Sequence, residues 1–417
     1  MLLHSLYDSF KPLFYLSVIF GTMPLYFYYK PVTHLKLSKY KLMYSWFLFA
    51  CVIVHGVATP WVVVETKISA VNPVVVPKAV SNVSTYVNFI RNQTSAQIIA
   101  MRVINPLINI FMCLGSLWVG LIYVTDKLPV FISHLTDIDR GLVPFMKLRP
   151  KLNLFISLTL TMYFSILSVP VFTIYLCTVY SQGKFWPQVW STLLLFCDAS
   201  NYSVEIQFLN WALCLHIRFK AINDFLQRHS TQNEMFNAFN HISHKKWSVK
   251  ERLTIRKIEL AHECNKKLCD LIEDLNDMYQ LQLLCSVAGC FIKILLNVYF
   301  ALFASFINVK KTSGVQTANT IMWTTFYLVR FLVTTVVSCK TSQEATKTRS
   351  LVTSVNRRSF DNVIKEELNL FLQNTSNRSM RFSACGLFTL STQLITSALA
   401  AGTTYLVILI QFRPQIS

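Results

Sequence analysis

Runs of apolar residues about 20 long, separated by shorter charged connections, recur along the chain, and each is long enough to cross roughly 30 Å of hydrocarbon as a helix. Seven qualify: Leu42 to Val64, Val103 to Val124, Leu152 to Thr178, Val189 to Ile217, Leu281 to Phe306, Thr320 to Cys339 and Phe382 to Phe412. The pattern predicts an all-α protein with seven transmembrane helices. An eighth run, Phe10 to Tyr29, carries Lys11, Pro12, Gly21 and Pro24 and reads as an interfacial or re-entrant segment. No small-residue cleavage site follows it, so it is not read as a signal peptide. Between Arg218 and Gln280, Ile255, Ile258, Leu260, Leu268, Leu271 and Leu275 recur at helical spacing among charges, and helices are expected to continue spans four and five beyond the membrane. The expected organisation is a first segment over 1–41, spans one to four over 42–217, a long helical connection over 218–280, spans five and six over 281–339, a second helical connection over 340–381, and span seven with a short tail over 382–417.

Charge orients this layout. The chain of 417 residues has 39 Lys and Arg against 20 Asp and Glu, a net charge of +19. In a soluble protein such an excess would raise nucleic-acid binding; in a multi-span protein it follows from the retention of basic residues in cytoplasmic loops, and no nucleic-acid partner is expected. Lys30, Lys36, Lys39 and Lys41 precede span one, and basic residues crowd the connections after spans two, four and six. The loop after span three has only Lys184, and that after span five only Lys310 and Lys311. The N-terminus is therefore placed in the cytoplasm and the C-terminus outside. Two glycosylation sequons, at Asn82 and Asn92, fall in the loop placed outside. This orientation is opposite to that of G-protein-coupled receptors, and the Asp-Arg-Tyr and Asn-Pro-x-x-Tyr motifs are missing too. None of the 11 Cys falls in an outside loop, so no disulfide framework is expected there.

The most specific signal is Thr404-Tyr405-Leu406-Val407-Ile408-Leu409-Ile410-Gln411-Phe412: Thr-Tyr, five apolar residues, then Gln-Phe in the last span. This resembles the signature of insect gustatory receptors, as do Phe382-Ser383-Ala384-Cys385-Gly386 and the Leu394, Thr396, Ser397 run upstream. By residue the resemblance covers the last span; by layout it covers the whole chain. Near the N-terminus, Pro12 to Tyr15 with Gly21 and Pro24 is similar to members outside the sugar-receptor branch. That branch usually has Glu after the Tyr, where this chain has Leu406, which points to bitter-type, fructose-type or other ligands.

The resemblance implies a ligand-gated, non-selective cation channel of four identical or related subunits whose seventh spans line one pore, in the plasma membrane of a sensory neuron, opened by a small-molecule tastant. On a helix Thr404, Ile408 and Gln411 share one stripe, and Tyr405, Leu409 and Phe412 the next. Four copies would set a polar Gln411 ring beside apolar Phe412 and Ile408 rings, suited to a gate that closes by dewetting. The plainer reading of Gln411 alone is a side chain solvated among headgroups.

Ionisable residues inside spans are costly and each is a functional candidate. Asp198 and Glu205 lie on span four, Lys293 on span five and Arg330 on span six. Counting about 1.5 Å per residue from the outer ends puts Asp198 level with Arg330 and Glu205 level with Lys293, which predicts those two pairs. They serve as structural ion pairs or as ligand contacts. Trp323 and Tyr327 on span six, Asn201 and Tyr202 on span four, Asn297 on span five and Tyr175 on span three suggest an aromatic-walled cavity, with Asp198 and Arg330 at its polar end. His55 is expected to be a hydrogen-bonded packing histidine. His241, His244, His262, Cys264 and Cys269 lack the spacing of a structural zinc site, so no metal is assigned. The basic cluster from Lys245 to Lys257 reads as a solvated face with contact to anionic lipid as a second reading. No phosphate loop, triad or kinase signature is present; no enzyme and no cofactor are expected. A transporter would need inverted repeats, which the sequence does not show.

Overall fold

A computed structural model describes residues 2–30, 32–68, 103–143, 145, 151–180, 185–239, 249–307, 314–358, 362–376 and 378–411. Helix α1 (Leu2–Ile19) leads into a hairpin of β1 (Leu25–Lys30) and β2 (Val32–Leu37), antiparallel with Leu25 opposite Leu37. The spans follow as α2 (Lys39–Ile68), α3 (Val103–Leu142), α4 (Lys151–Tyr180), α5 (Phe185–Phe239), α6 (Val249–Ile307) and α7 (Gly314–Arg358). Helix α8 (Asn362–Ser376) precedes a small hairpin of β3 (Ser383–Ala384) and β4 (Phe388–Thr389), and α9 (Thr392–Gln411) is last. Among the described residues, five helices are long and apolar enough to cross a membrane, within α2, α3, α4, α6 and α7; α9 is apolar but shorter.

Helix α5 is the axis of the bundle. From Cys197 to Ala212 every residue is buried, although the stretch contains Asp198, Asn201, Glu205, Gln207 and Asn210. Helices α1, α4, α6 and α7 pack around it. A span with that many polar groups is tolerable in lipid only where protein covers it on all sides.

The interfacial or re-entrant segment resolves into two parts. Helix α1 buries Phe10, Leu13, Phe14 and Ser17 against the bundle, with Phe10 on Trp211 at 4.3 Å. It stops at Gly21, whose φ of +70° reverses the chain into the hairpin. Span two is longer than its apolar run: it passes through a π-helical turn, Val119–Val124, and continues to Leu142. At Gly120 in that turn a Cβ would overlap the Thr22 carbonyl, so the π turn is where the chain reversal after α1 nests. Thr125 Oγ1 donates to the Gly120 carbonyl at 2.8 Å, satisfying an acceptor in the widened turn.

Span seven starts later than its hydropathy predicts. Residues Phe382 to Leu390 form a hairpin rather than the first turns of the helix. Cys385 and Gly386 both take positive φ (50° and 71°), a primed turn incompatible with helix. The Ser383 amide donates to Asn276 Oδ1 at 2.8 Å, and Phe382 is buried edge-on against Phe208. The apolar character of this stretch therefore serves packing inside the protein, and α9 begins at Thr392.

Candidate functional site

The four buried charges converge on α5, with partners different from those their depth predicts. Arg330 pairs with Glu205 rather than Asp198: Nε to Oε2 is 2.9 Å and Nη2 to Oε1 2.5 Å, with both side chains at most 2% exposed. The guanidinium also lies over the rings of Tyr202 at 4.9 Å, Phe326 at 5.2 Å and Tyr327 at 5.8 Å. Depth counting places the Cα atoms; the long Arg stem carries its charge away from its own level to the next carboxylate. The bidentate geometry and the aromatic faces together replace much of the hydration lost on burial.

Asp198, freed from Arg330, accepts from Asn109 Nδ2 at 2.6 Å and from the Tyr327 hydroxyl at 3.1 and 3.2 Å. Lys293 does not meet Glu205. Its ammonium donates to the Asn105 carbonyl at 2.7 Å and sits 5.6 Å from the Tyr327 ring centre. Hydropathy does not single out Asn105 and Asn109; their spacing of i and i+4 on span two is the signal that could have found them. Asn105 Oδ1, Asn109 Oδ1, Asn297 Nδ2 and Arg330 Nη1 are buried polar atoms that make no hydrogen bond to described residues.

Trp323 and Tyr327 are brought together, stacked at 5.7 Å and 24°. Tyr175 stands edge-on to Trp323 at 5.7 Å, and Phe326 and Phe172 complete the cluster. Asn201 points elsewhere: its Oδ1 accepts from Ser116 at 2.9 Å and from Gln282 at 2.7 Å, joining α3, α5 and α6 one turn deeper than Asp198. A further layer inward ties Gln207 to Ser17 at 2.5 Å and Thr22 at 3.2 Å on the α1 turn. Beyond it Arg218 grips Asp139 through two bonds of 2.7 Å, and both side chains are buried. Pro170 lies within a continuous α4. His55 is buried against Trp190 with ring centres 3.9 Å apart and planes tilted at 48°, and neither ring nitrogen is hydrogen-bonded to described residues, so its contact is a ring contact rather than the expected hydrogen bond. His262 joins Glu367 at 2.7 Å and Asn374 at 2.9 Å and stacks on Phe371.

The motif residues of α9 have the opposite environment. Leu394, Ile395, Ala398, Gly402 and Leu406 turn toward the bundle, whereas Thr404, Tyr405, Ile408 and Gln411 are exposed. Tyr405 is 57% and Ile408 37% exposed. Gly402 is buried against α6: a Cβ there would stand 3.3 Å from Leu295 Cδ2 and 3.7 Å from Phe291 Cε2. Thr404 Oγ1 returns to its own helix, donating to the Ala400 carbonyl at 2.9 Å. Phe412 and the sequons at Asn82 and Asn92 lie outside the described residues, as do His241, His244 and Lys245.

Comparison with known proteins places this geometry. The family model of the 7tm chemosensory receptors matches residues 10–416. A Drosophila melanogaster gustatory receptor for sugar taste, 43a, is 27% identical over 161 residues, which are 39% of this chain and 36% of that receptor. Putative gustatory receptors 28b and 28a of the same species are 25% and 28% identical over stretches covering 37% of this chain and 34% and 35% of theirs. The chain thus spans about a third of the length of the curated relatives it matches. Among solved structures, the insect olfactory receptor OR5 from Machilis hrabei superposes with a TM-score of 0.68 at 10% identity, over 97% of this chain and 98% of that one. The same receptor in complex with eugenol gives 0.61 over the same shares.

Proposed function

The chain belongs to the 7tm chemosensory receptor family, and from that premise we propose that it is a gustatory receptor acting as a ligand-gated, non-selective cation channel of four subunits in the plasma membrane of a sensory neuron. The observation that carries the reading is α9. A membrane helix that leaves Thr404, Tyr405, Ile408 and Gln411 uncovered in one subunit suits a pore built from several. Gln411 with Phe412 forms the gate, and Thr404 and Tyr405 line the path on its cytoplasmic side.

Ligand binds among α3, α5, α6 and α7, with Trp323 and Tyr327 as aromatic walls and Asp198, Asn297 and Arg330 as polar anchors. Support comes from the unsatisfied polar atoms of Asn109, Asn297 and Arg330, of which Asn109 also donates to Asp198, and from a neighbour of the same fold that was solved in complex with eugenol. Asn201, occupied by Ser116 and Gln282, is a brace in this scheme. The ligand needs only to bind the open packing better than the closed one. Leu406 in place of the sugar-branch Glu favours a bitter or other non-sugar tastant; the similarity to a receptor for sugar taste supports a fructose-type ligand as the second reading.

Excised-patch recording without GTP from cells expressing this chain, during a panel of bitter compounds and sugars, tests the proposal. The expected result is ligand-evoked cation current, with altered selectivity or leak in Gln411→Ala. Current that requires GTP would overturn it.

A further inference from the structure

Helices α3 and α6 pack together along the Val119–Leu142 part of α3 and stay in contact at Met112 and Gly115. Gly289 has no side chain where Met112 crosses it, and a Cβ there would overlap the thioether; a Cβ on Gly115 would stand 2.9 Å from Cys285 Sγ. Two turns toward the start of α3, the Lys293 ammonium donates to the Asn105 carbonyl at 2.7 Å. Alongside these contacts runs a groove of about 290 Å³ lined by Ile104, Ile108, Phe111, Leu284, Ala288 and Ile292, among others. Its rim is open on the single chain: Ile104 is 43%, Phe111 64% and Ile292 41% exposed.

Behind the apolar wall the chemistry changes within one residue. Asn105 and Asn109 occupy the α3 stripe next to Ile104 and Ile108, and Lys293 follows Ile292 on α6. Asn109 is 7% exposed, its amide nitrogen is used by Asp198, and its oxygen accepts nothing from the described residues; Asn105 Oδ1 is likewise unpartnered among them. Neither acceptor lines the groove, so a molecule with a hydrocarbon body and one hydroxyl donor would fill the apolar slot with its body and meet Asn105 and Asn109 only beyond that wall. The volume is at the low end of small-molecule sites, roughly 300 Å³ upward. It cannot admit a second helix, which is about 10–12 Å across.

We propose that this groove is a bilayer-side binding site for apolar alcohols partitioned into the membrane, an antechamber to the Asp198–Tyr327 site, with the Lys293–Asn105 bond as the latch between them. The physiological role rests on the chemoreceptor reading; the binding step does not. An apolar ligand concentrates in lipid, enters beside Phe111, and reaches the polar residues only when the latch moves aside.

Photolabelling tests this without current. The full chain in phosphatidylcholine vesicles is exposed to a medium-chain alcohol bearing a diazirine, photolysed and mapped by peptide mass spectrometry. Expected are adducts within 104–111 and 284–292 that excess decanol displaces, reduced about tenfold or more in Ala288→Trp, where the indole fills the slot. Displacement in the unmodified chain keeps the test valid should that variant fold poorly. Lys293→Met keeps the stem but not the hydrogen bond, and should extend adducts to the Cys197–Asn201 stretch; an unchanged distribution overturns the latch. Labelling that decanol does not displace, at the level of the exposed Tyr40 to Phe47 face of α2, would reduce the groove to ordinary lipid contact. Cross-linking between copies through Phe111→Cys would place a second chain there and overturn the proposal. Displaceable labelling without ligand-evoked current would leave the groove standing and remove the channel reading instead.

Discussion

Helices α5 and α9 invert the usual relation between polarity and burial. α5 carries two carboxylates and several amides and is buried without a break from Cys197 to Ala212; α9 is apolar over most of its length and lies on the outside. The difference teaches that each helix answers to different neighbours. On α5, Asp198, Asn201, Glu205 and Gln207 each have specific partners on α3, α6, α7 or α1, so their polarity is consumed within one chain. The exposed residues of α9 meet no partner of comparable specificity among the described residues, which is the feature the proposed pore accounts for.

If that contrast holds, damage to α5 should unfold the subunit and damage to α9 should not. The largest effect is expected from Arg330→Ala or Glu205→Ala, each stranding a buried charge at about 3–5 kcal/mol. Surface biotinylation should find little mature protein, whereas the double change Arg330→Met with Glu205→Leu should recover part of it. Next is Gly289→Leu, which forces a side chain into Met112; overpacking of this kind costs about 1–3 kcal/mol. Adding Met112→Ala should restore thermal stability in a detergent melting assay, and no recovery would mean that the α3–α6 crossing is not set by these two residues.

Gly402→Ala is expected to matter less for folding, because its nearest neighbour is the flexible end of Leu295. It should shift the ligand concentration for half-maximal current while the melting temperature stays near that of the unmodified chain. The smallest effect on the subunit belongs to Tyr405→Ala and Ile408→Ala, within about 0.5 kcal/mol as for exposed positions generally. Their consequence should appear instead in ion selectivity or in the oligomer resolved by native electrophoresis. Should these variants unfold the monomer as Arg330→Ala does, the contrast between the two helices would be lost.

Much of the fold is legible in the amino-acid sequence. Apolar run length marks the helices because the cost of unpaired backbone groups in lipid permits little else. The C-terminal motif marks α9 for the family. Buried charge marks Asp198, Glu205, Lys293 and Arg330, because a charge in a span must have a reason. The start of α9 is not legible, since Phe382 to Leu390 is apolar enough for a span and becomes a hairpin only through the positive φ of Cys385 and Gly386 and an amide bond to Asn276.

What the sequence alone determined is the helical layout, the positions of the membrane charges and the family signature, all of them local properties of composition and spacing. Only the tertiary structure decided who meets whom: Arg330 with Glu205, Asp198 with Asn109 and Tyr327, Lys293 with Asn105, Arg218 with Asp139. Those choices depend on helix rotation, on side-chain reach and on glycines that let particular helices approach. None of these is carried by depth along a single helix.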